Sequence, residues 1–508
     1  MNVLLINPMA SRKPPIKGRG VHFPVGLGLI ASSLKAEGHN VTVLDNETEC
    51  LNKYDLFDYI KGSGHDIFGI SAMATQYSYV KKLSRMIKEL TGKTVVLGGP
   101  LATYSYETVL GNTDIDICVI GAGEETAIDL FENLGDLSKV PGIAFKHDGQ
   151  IETSSARALA RSRDDYPFPA YELFNMQSYT GKQQIQYEGW GAKYLNKDVT
   201  NIKNMGISTG IGCPYHCKFC SRSVIKPRLR SIDNIIAEIR YCIDNFGIKG
   251  VRFLDDLLII NEKRTLELCE KIKPLNIVWS GQARTNTLND RLAKAMKDAG
   301  CVGVGFGLES GSDRMLKAMK KQVTVADHKN AVMTAKKNGL SIRVQILFGY
   351  PGENRESAEE TITFFKDIQI PPRRFNVLTP LPGSELYDEC LRDGIITDQD
   401  EYLEKVAAQD AGFGSKKVLL NLTEMSDDEF VDLMMYTENT MEENYKKIFK
   451  TSNSFWFLLV LREYLQRQLH RVKKIVSIPA WKKKFNLKFN SPEGKLTRSQ
   501  IEELYFRL

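Results

Sequence analysis

Short apolar runs separated by amphipathic stretches fill the first 135 or so residues of this 508-residue chain. The runs predict strands at Val3–Ile6, Val41–Leu44, Ile67–Ser71, Thr94–Leu97 and Ile117–Ile120. Helical periodicity occupies the gaps, as in Gly26–Glu37 and Tyr77–Leu90. Strands alternating with helices of this length imply a parallel, doubly wound sheet. Ligands of such sheets bind beyond the carboxyl ends of the strands. Here those ends carry Asn7-Pro8, Asp45-Asn46, Ser71 to Thr75, Gly98-Gly99-Pro100 and Gly121 to Glu124. The glycines let backbone approach a ligand, and Ser71 and Thr75 offer hydroxyls.

Val140 to about Ser155 reads as a hairpin with Asp148-Gly149 as its turn. The stretch Arg161–Thr200, with its "DDYPFPAYELF", has little periodicity and reads as an ordered connector. Alternation resumes at Met205, with strand ends at Gly212, Asp256, Arg284, Glu309, Gly349 and Pro380. Between the first two ends, Ile232, Ile235, Ile236, Ile239, Cys242 and Ile243 follow a helical period. Six strand–helix units suggest an open, partial (β/α)6 barrel, whose chemistry would sit on loops after the strands. The expected partition is a Rossmann-like unit over 1–140, hairpin and connector over 141–200, the barrel over 201–400 and a helical, basic region over 401–508. The fold class is α/β.

The chain is too long for one ordinary core. No stretch approaches the roughly 20 apolar residues that span a bilayer, and "MNVLLINPMA" reads as a first strand and not a signal peptide. Nine cysteines, six of them scattered, do not form a disulfide framework, so a reducing, cytoplasmic compartment is expected. Between Lys446 and Lys488 lie twelve Lys/Arg and one acid, a local charge of +11; the net charge of +6 leaves −5 for the rest.

Three cysteines carry the sharpest chemistry. Cys213, Cys217 and Cys220 in "GIGCPYHCKFCSR" are spaced Cys-x3-Cys-x2-Cys, with Phe219 before the last. Three thiolates so close in sequence can converge on a soft iron–sulfur centre. A zinc loop or buried thiols are the bland alternatives. With three protein sulfurs, a four-iron cluster keeps one iron open to another ligand.

This loop resembles the signature of the radical SAM superfamily, and strings further on match in order. The resemblance implies a [4Fe-4S] cluster on the three cysteines, whose open iron binds S-adenosylmethionine (SAM). It places Asp255 and Asp256 of "VRFLDDLLIIN" beside the SAM amino group, although either could be a helix cap or a solvated turn. Glu309 and Ser310 of "GFGLESGSDRML" match the fourth-strand motif. Arg284 of "SGQARTN" matches a third-strand arginine, and a structural salt bridge explains it equally well. Phe219 and Gln345 complete the implied SAM contacts. "ILFGYPGENRES" resembles the fifth-strand motif near adenine, and "PLPGSELY" the ending of the same barrel subgroup.

The first 135 residues resemble the cobalamin-binding domain that precedes the barrel in one radical SAM subgroup. Matching pieces are "FPVGLGLIASSLKAEGHNVTVLD", "DIFGISAMAT", "VLGGPLAT" and "VIGAGEET". Implied corrinoid contacts are Pro24, Gly26, Asp45, Ser71, Thr75, Gly98, Gly99, Gly121, Gly123 and Glu124. None of the seven histidines sits in Asp-x-His-x-x-Gly, so no histidine ligand to cobalt is expected, and a sheet without corrinoid remains an alternative. The layout implies methyl transfer to an unactivated carbon of a small or lipid-like metabolite, through a 5′-deoxyadenosyl radical and methylcobalamin. Oxidative cyclisation or rearrangement, with or without cobalamin, is the enzyme alternative; a membrane- or RNA-associated protein with a structural cluster is the other. A donor such as flavodoxin or ferredoxin is implied. The tail Phe455–Lys488 reads as a surface for anionic membrane, a helical lid or a nucleic-acid contact; nucleic acid is the least expected, since no RNA-binding module is recognisable.

Overall fold

The computed structural model describes residues 1–9, 22–158, 162–180, 182–183, 202–221, 226–370, 375–408 and 418–450. Its first sheet holds β1 (Asn2–Asn7), β2 (Asn40–Asp45), β3 (Ile67–Ser71), β4 (Thr94–Gly98), β5 (Ile117–Val119), β6 (Ile143–His147) and β7 (Gln150–Thr153). The order is β2-β1-β3-β4-β5-β6-β7. The first five strands pair in parallel, from Val3 against Val41 and Ile67 through to Val96 against Ile117. The hairpin β6–β7, which the sequence reading grouped with the connector, instead continues this sheet antiparallel to β5.

The strands are apolar because both faces are covered. Val3 and Leu5 face one core cluster, Leu4 and Ile6 the other, and all four are at most 3% exposed. The first cluster runs on into the second sheet, so the two sheets share packed side chains. The connector contributes to it: Phe23 meets Tyr171, Phe174 and Tyr179 with ring centroids 5.0, 4.8 and 5.3 Å away.

The second sheet begins with β8 (Lys182–Gln183) and β9 (Ile202–Ile207). A two-stranded ribbon follows, β10 (Gly210–Ile211) and β11 (Arg228–Leu229), and then β12 (Gly250–Phe253), β13 (Val278–Ala283), β14 (Cys301–Glu309), β15 (Ser341–Phe348) and β16 (Asn376–Val377). The order is β16-β15-β14-β13-β12-β9-β8, open at both edges, with six parallel strands from β9 to β16. The first of them stops at Ile207, short of the expected Gly212. Residues 210–211 leave the sheet to pair with 228–229, and this ribbon lifts out the cysteine loop.

Capping chemistry places the helices between strands. Ser231 accepts from Asn234 N–H at the start of Ile232–Phe246, and Gly247, at φ +65°, ends it in the left-handed region. Two later helices tie the parts together. Gln399–Ala408 lies on the first domain, where Asp400 pairs with Lys81 at 2.9 Å and Leu403 enters the second core cluster. Asp427–Lys450 covers the far side of the barrel with Phe430, Leu433 and Met434. The basic tail Phe455–Lys488 lies outside the described residues. Among the described residues, no helix is long and apolar enough to cross a membrane.

Candidate cluster and cofactor site

The cysteine loop is held from two sides. Lys218 N–H donates to Met319 O at 3.1 Å, and Leu386 N–H donates to Lys218 O at 2.9 Å. Lys218 Nζ reaches Glu389 at 2.5 Å, and Ser221 Oγ donates to Pro382 O at 2.7 Å. Within the loop Cys220 N–H donates to Cys217 O at 3.1 Å, a tight turn that brings the two side chains close. Burial raises the Cys213 thiol above its ordinary pKa. Cys220 is exposed as a residue, yet its thiol is shielded and pushed up to about 12, by burial first and then by Cys217. Crowded thiols that resist ionisation suit a cation that displaces their protons. Among the described residues, no three His, Cys, Asp or Glu side chains gather around a single-ion position.

Strand ends bring further charges to the loop. Arg284, just past β13, points Nη1 at Cys217 Sγ at 3.7 Å and stacks its guanidinium 3.6 Å from the Tyr215 ring centre. Its Nη2 donates to Lys321 O. Glu309 ends β14 at φ +63°, where the register with β15 shifts. Holding a carboxylate residue in this left-handed region costs about 1–3 kcal/mol, and such strain clusters at functional sites. The Glu309 carboxylate accepts from Lys321 Nζ at 2.8 Å, and both residues are only 8% exposed. Lys321 is carried inward between two left-handed residues, Lys320 and Gln322, and lies 5.6 Å from the Phe219 ring. Asp256 faces the same place: its charge acts on Cys213 and Cys220, and burial raises its own carboxyl pKa.

Other residues singled out from sequence have different surroundings. Asp255 accepts from Thr209 N–H at 2.9 Å and from Thr209 Oγ1 at 2.8 Å, so it clasps β9 to β12; burial pushes it up to about 6. Ser310 Oγ accepts from Ser312 N–H at 3.2 Å and lies 3.4 Å from Thr361 Oγ1, in a buried turn. Gln345 pairs with Gly307 on the concave face of the barrel. Gly349, in the string read as lying near adenine, has φ +94°, and a Cβ there would sit 2.8 Å from the Phe430 ring. Fold packing explains this glycine.

The carboxyl edge of the first sheet divides in the same way. A Cβ on Gly26 or Gly121 would meet nothing within 4 Å, and on Gly98 only Ile70 O at 3.9 Å. Nearby Met73 is 58% exposed between Ser71 and Thr75. This open, partly apolar ledge fits a large planar ligand. Gly99 is required by the fold, since its Cβ would lie 2.8 Å from Ala72 O. Gly123, next to Ile30, and Pro24 flank helix starts. Asp45 is committed to Asn7 Nδ2 at 2.7 Å, Thr48 Oγ1 at 2.8 Å and Tyr179 OH. Glu124 pairs with Arg163 at 3.1 Å. His39 stands at the opposite edge, just before β2 and 5.2 Å from Phe131.

Sequence comparison agrees with this geometry. A family model described as the radical SAM superfamily matches residues 207–365, and one described as a B12 binding domain matches residues 16–131. An uncharacterised methyltransferase of Pyrococcus horikoshii is 33% identical over 386 residues, covering 73% of this chain and 79% of that protein. The chain belongs to the cobalamin-binding branch of the radical SAM superfamily. A second relative of this radical SAM protein, the cytidylyl-2-hydroxyethylphosphonate methyltransferase of Streptomyces wedmorensis, is 26% identical, with 78% and 83% of the two chains covered. Among solved structures, TsrM of Kitasatospora setae, a radical SAM methyltransferase with cobalamin and a [4Fe-4S] cluster bound, gives a TM-score of 0.63 at 19% identity, covering 77% of this chain and 78% of its own. That likeness speaks for the fold.

The cofactors of this radical SAM protein are a [4Fe-4S] cluster, SAM and cobalamin. The three thiols suit the first, the mixed charges around them suit the amino-acid end of the second, and the open ledge suits the third. Sequence reading missed Lys321 and Tyr215. The "MKKQ" string around Lys321 gave no signal, because its role depends on backbone conformation.

Proposed function

We propose that this protein transfers a methyl group to a carbon atom of a small molecule, using SAM at the cysteine loop and a corrinoid on the ledge of the first sheet. One chain of contacts carries the reading. Gly99, next to Gly98 of the ledge, caps the helix Pro100–Asn112, and on that helix Tyr104 lies 2.5 Å from where a Gly383 Cβ would stand. Gly383 follows Pro382, whose carbonyl holds Ser221, next to Cys220. The ledge and the cysteine loop therefore adjoin through packed groups. Two relatives named as methyltransferases support the same reading.

When bound, the cluster supplies the electron that splits SAM, and the corrinoid carries the methyl group. The chain's own residues position and shield. Arg284 directs an N–H at the Cys217 sulfur, which steadies negative charge there. Glu309 and Asp256 offer carboxylates to the SAM ammonium, while Arg284 and Lys321 offer cations to its carboxylate. Tyr215 and Phe219 keep their rings over those cations and exclude water. A flavodoxin or ferredoxin is the reductant we assign. The tail Phe455–Lys488 we assign, on composition alone, to peripheral contact with anionic membrane; indifference of the full chain to anionic vesicles removes that assignment.

Anaerobic reconstitution with iron, sulfide and hydroxocobalamin tests the reaction. Methyl transfer yields both S-adenosylhomocysteine and 5′-deoxyadenosine with a methylated product. Deoxyadenosine without S-adenosylhomocysteine overturns it in favour of cyclisation or rearrangement.

A further inference from the structure

The concave face of the barrel is polar and charged in a way the cluster chemistry does not use. Parallel pairing fixes which residues share it. Arg252 lies beside Gly206 and Ser280, and Ser280 beside Gly303 and then Ser341. One step toward the carboxyl ends, Gln282 lies beside Gly305 and Arg343. The alternate residues Val251, Phe253, Trp279, Val304, Phe306, Ile342 and Val344 sit in the apolar core on the other face. Arg252, Gln282, Arg343 and Gln345 are half-buried, which marks a recess and not a filled core. Glycines at 303, 305 and 307 keep its back wall low.

The recess holds two guanidinium groups and, on these two levels, no acid. His22, from the loop after β1, meets Arg252 Nη2 with Nδ1 at 2.5 Å. Burial and then the charges of Arg252 and Arg343 push His22 down to about 4, so it is neutral at pH 7 and adds no charge. Arg343 Nε is buried with no hydrogen-bond partner among the described residues, and so is the Oγ of Ser280, which is 0% exposed. A buried guanidinium nitrogen or hydroxyl left unpaired is unfavourable, and a bound oxyanion is the group that reverses this. Guanidinium forks, a hydroxyl and an amide on β12, β13 and β15, with only glycines of β14 between them, supply more donors than the two oxygens of a carboxylate accept. Three oxygens and a double negative charge match them better.

We propose that the substrate carries a phosphate or phosphonate group, and that Arg252 and Arg343 hold it in the barrel recess with Ser280 and Gln282 as neutral donors. This deepens the methyl-transfer reading and rests on it for the identity of the recess as the substrate site. The Arg343 level lies three residue pairs below the Glu309 level, so the anion would anchor the substrate while its far end reaches the SAM and corrinoid positions.

Isothermal titration calorimetry of the full-length protein, without cluster or corrinoid, tests the proposal with methylphosphonate as probe and acetate as control. We expect methylphosphonate to bind in the millimolar range or tighter and to outcompete acetate. Arg343→Met should weaken it about tenfold, with Arg343→Lys in between. Because Arg343 Nε has no hydrogen-bond partner among the described residues, ligand-free Arg343→Met should melt no lower than the natural protein, whereas a structural role would lower the melting temperature. Saturation with hydroxocobalamin should leave methylphosphonate binding intact; competition would assign the anion site to the phosphodiester of the corrinoid and overturn the proposal. Absence of binding to the natural protein, equal affinity in Arg343→Met, or a lowered melting temperature of that variant also overturns it. Since no turnover is read, a failure here leaves methyl transfer standing, and a failure of methyl transfer leaves these titrations valid.

Discussion

Removing one partner of the Glu309–Lys321 pair should cost far more stability than removing both. At 2.8 Å and an effective dielectric of about 20, the two charges attract by ~6 kcal/mol before desolvation is counted. Each residue is 8% exposed, so most of that attraction offsets the loss of water. Lys321→Met alone leaves a buried carboxylate uncompensated, and Glu309→Gln alone leaves a buried ammonium; each should lose about 3–5 kcal/mol. The double variant keeps similar volumes without either charge and should fall within ~1 kcal/mol of the natural protein, giving a coupling of several kcal/mol. Urea unfolding of cluster-free protein measures this, followed by circular dichroism and tryptophan fluorescence, with coincident transitions as the check on two-state behaviour. Losses that simply add in the double variant would refute the reasoning, since they would mean that water already screens both charges.

Three further perturbations probe other parts of the molecule. Alanine at Cys213, Cys217 or Cys220 should leave too few thiolates, so reconstituted protein should lose its iron, sulfide and visible charge-transfer absorbance; full iron content in any one variant would contradict the assignment. Glu353 is 3% exposed and burial pushes its carboxyl up to about 7 from 4.5, so its contribution to stability is complete below pH 4.5 and lost as pH rises through 7. Glu353→Gln should flatten that decline, which amounts to ~3 kcal/mol, and identical pH profiles of urea midpoints would contradict it. Gly349→Ala should destabilise by about 2–5 kcal/mol, through strain at φ +94° and a Cβ 2.8 Å from Phe430. Trimming Phe430 to leucine should restore only the steric part, and a fully restored melting temperature would refute the backbone argument.

Local chemistry was legible in the sequence, and long-range pairing was not. The cysteine loop is readable because its ligands lie within eight residues, and the parallel sheets are readable because two-sided burial writes apolar runs. Asp255 and Asp256 show where reading stops. Adjacent residues at a strand end point to opposite sides, and only the position of Thr209 decides that Asp255 is a clasp. Asp45 and Glu124 sit at strand ends as ligand contacts do, yet Tyr179 and Arg163 reach them from a connector whose path no local pattern fixes. Lys321 depends on two left-handed neighbours that are not glycine, so composition gave no hint of the turn. Arg252 and Arg343, in "VRF" and "SIRVQI", are single cations within apolar strands, and their nearness to one another appears only once β13 and β14 are placed between them.

The barrel strands divide their labour by face. On the convex side Val251, Trp279, Phe306, Ile342 and Val344 pack under helices at no more than 2% exposure, and this apolar layer stabilises the sheet. The concave side is then free to carry glycines, amides and guanidinium groups, each of which would be costly in a closed core. A full barrel would have to fill that interior; the open sheet β16 to β8 leaves it to be closed from outside. Among the described residues of the loop after β1, His22 meets Arg252 at the rim of this face, and the Phe23 cluster beside it fixes that loop to the connector. The recess is therefore completed by the domain that carries the corrinoid ledge. The proposed corrinoid ledge and the proposed anion recess are thus tied to one another by side chains packed between the two sheets.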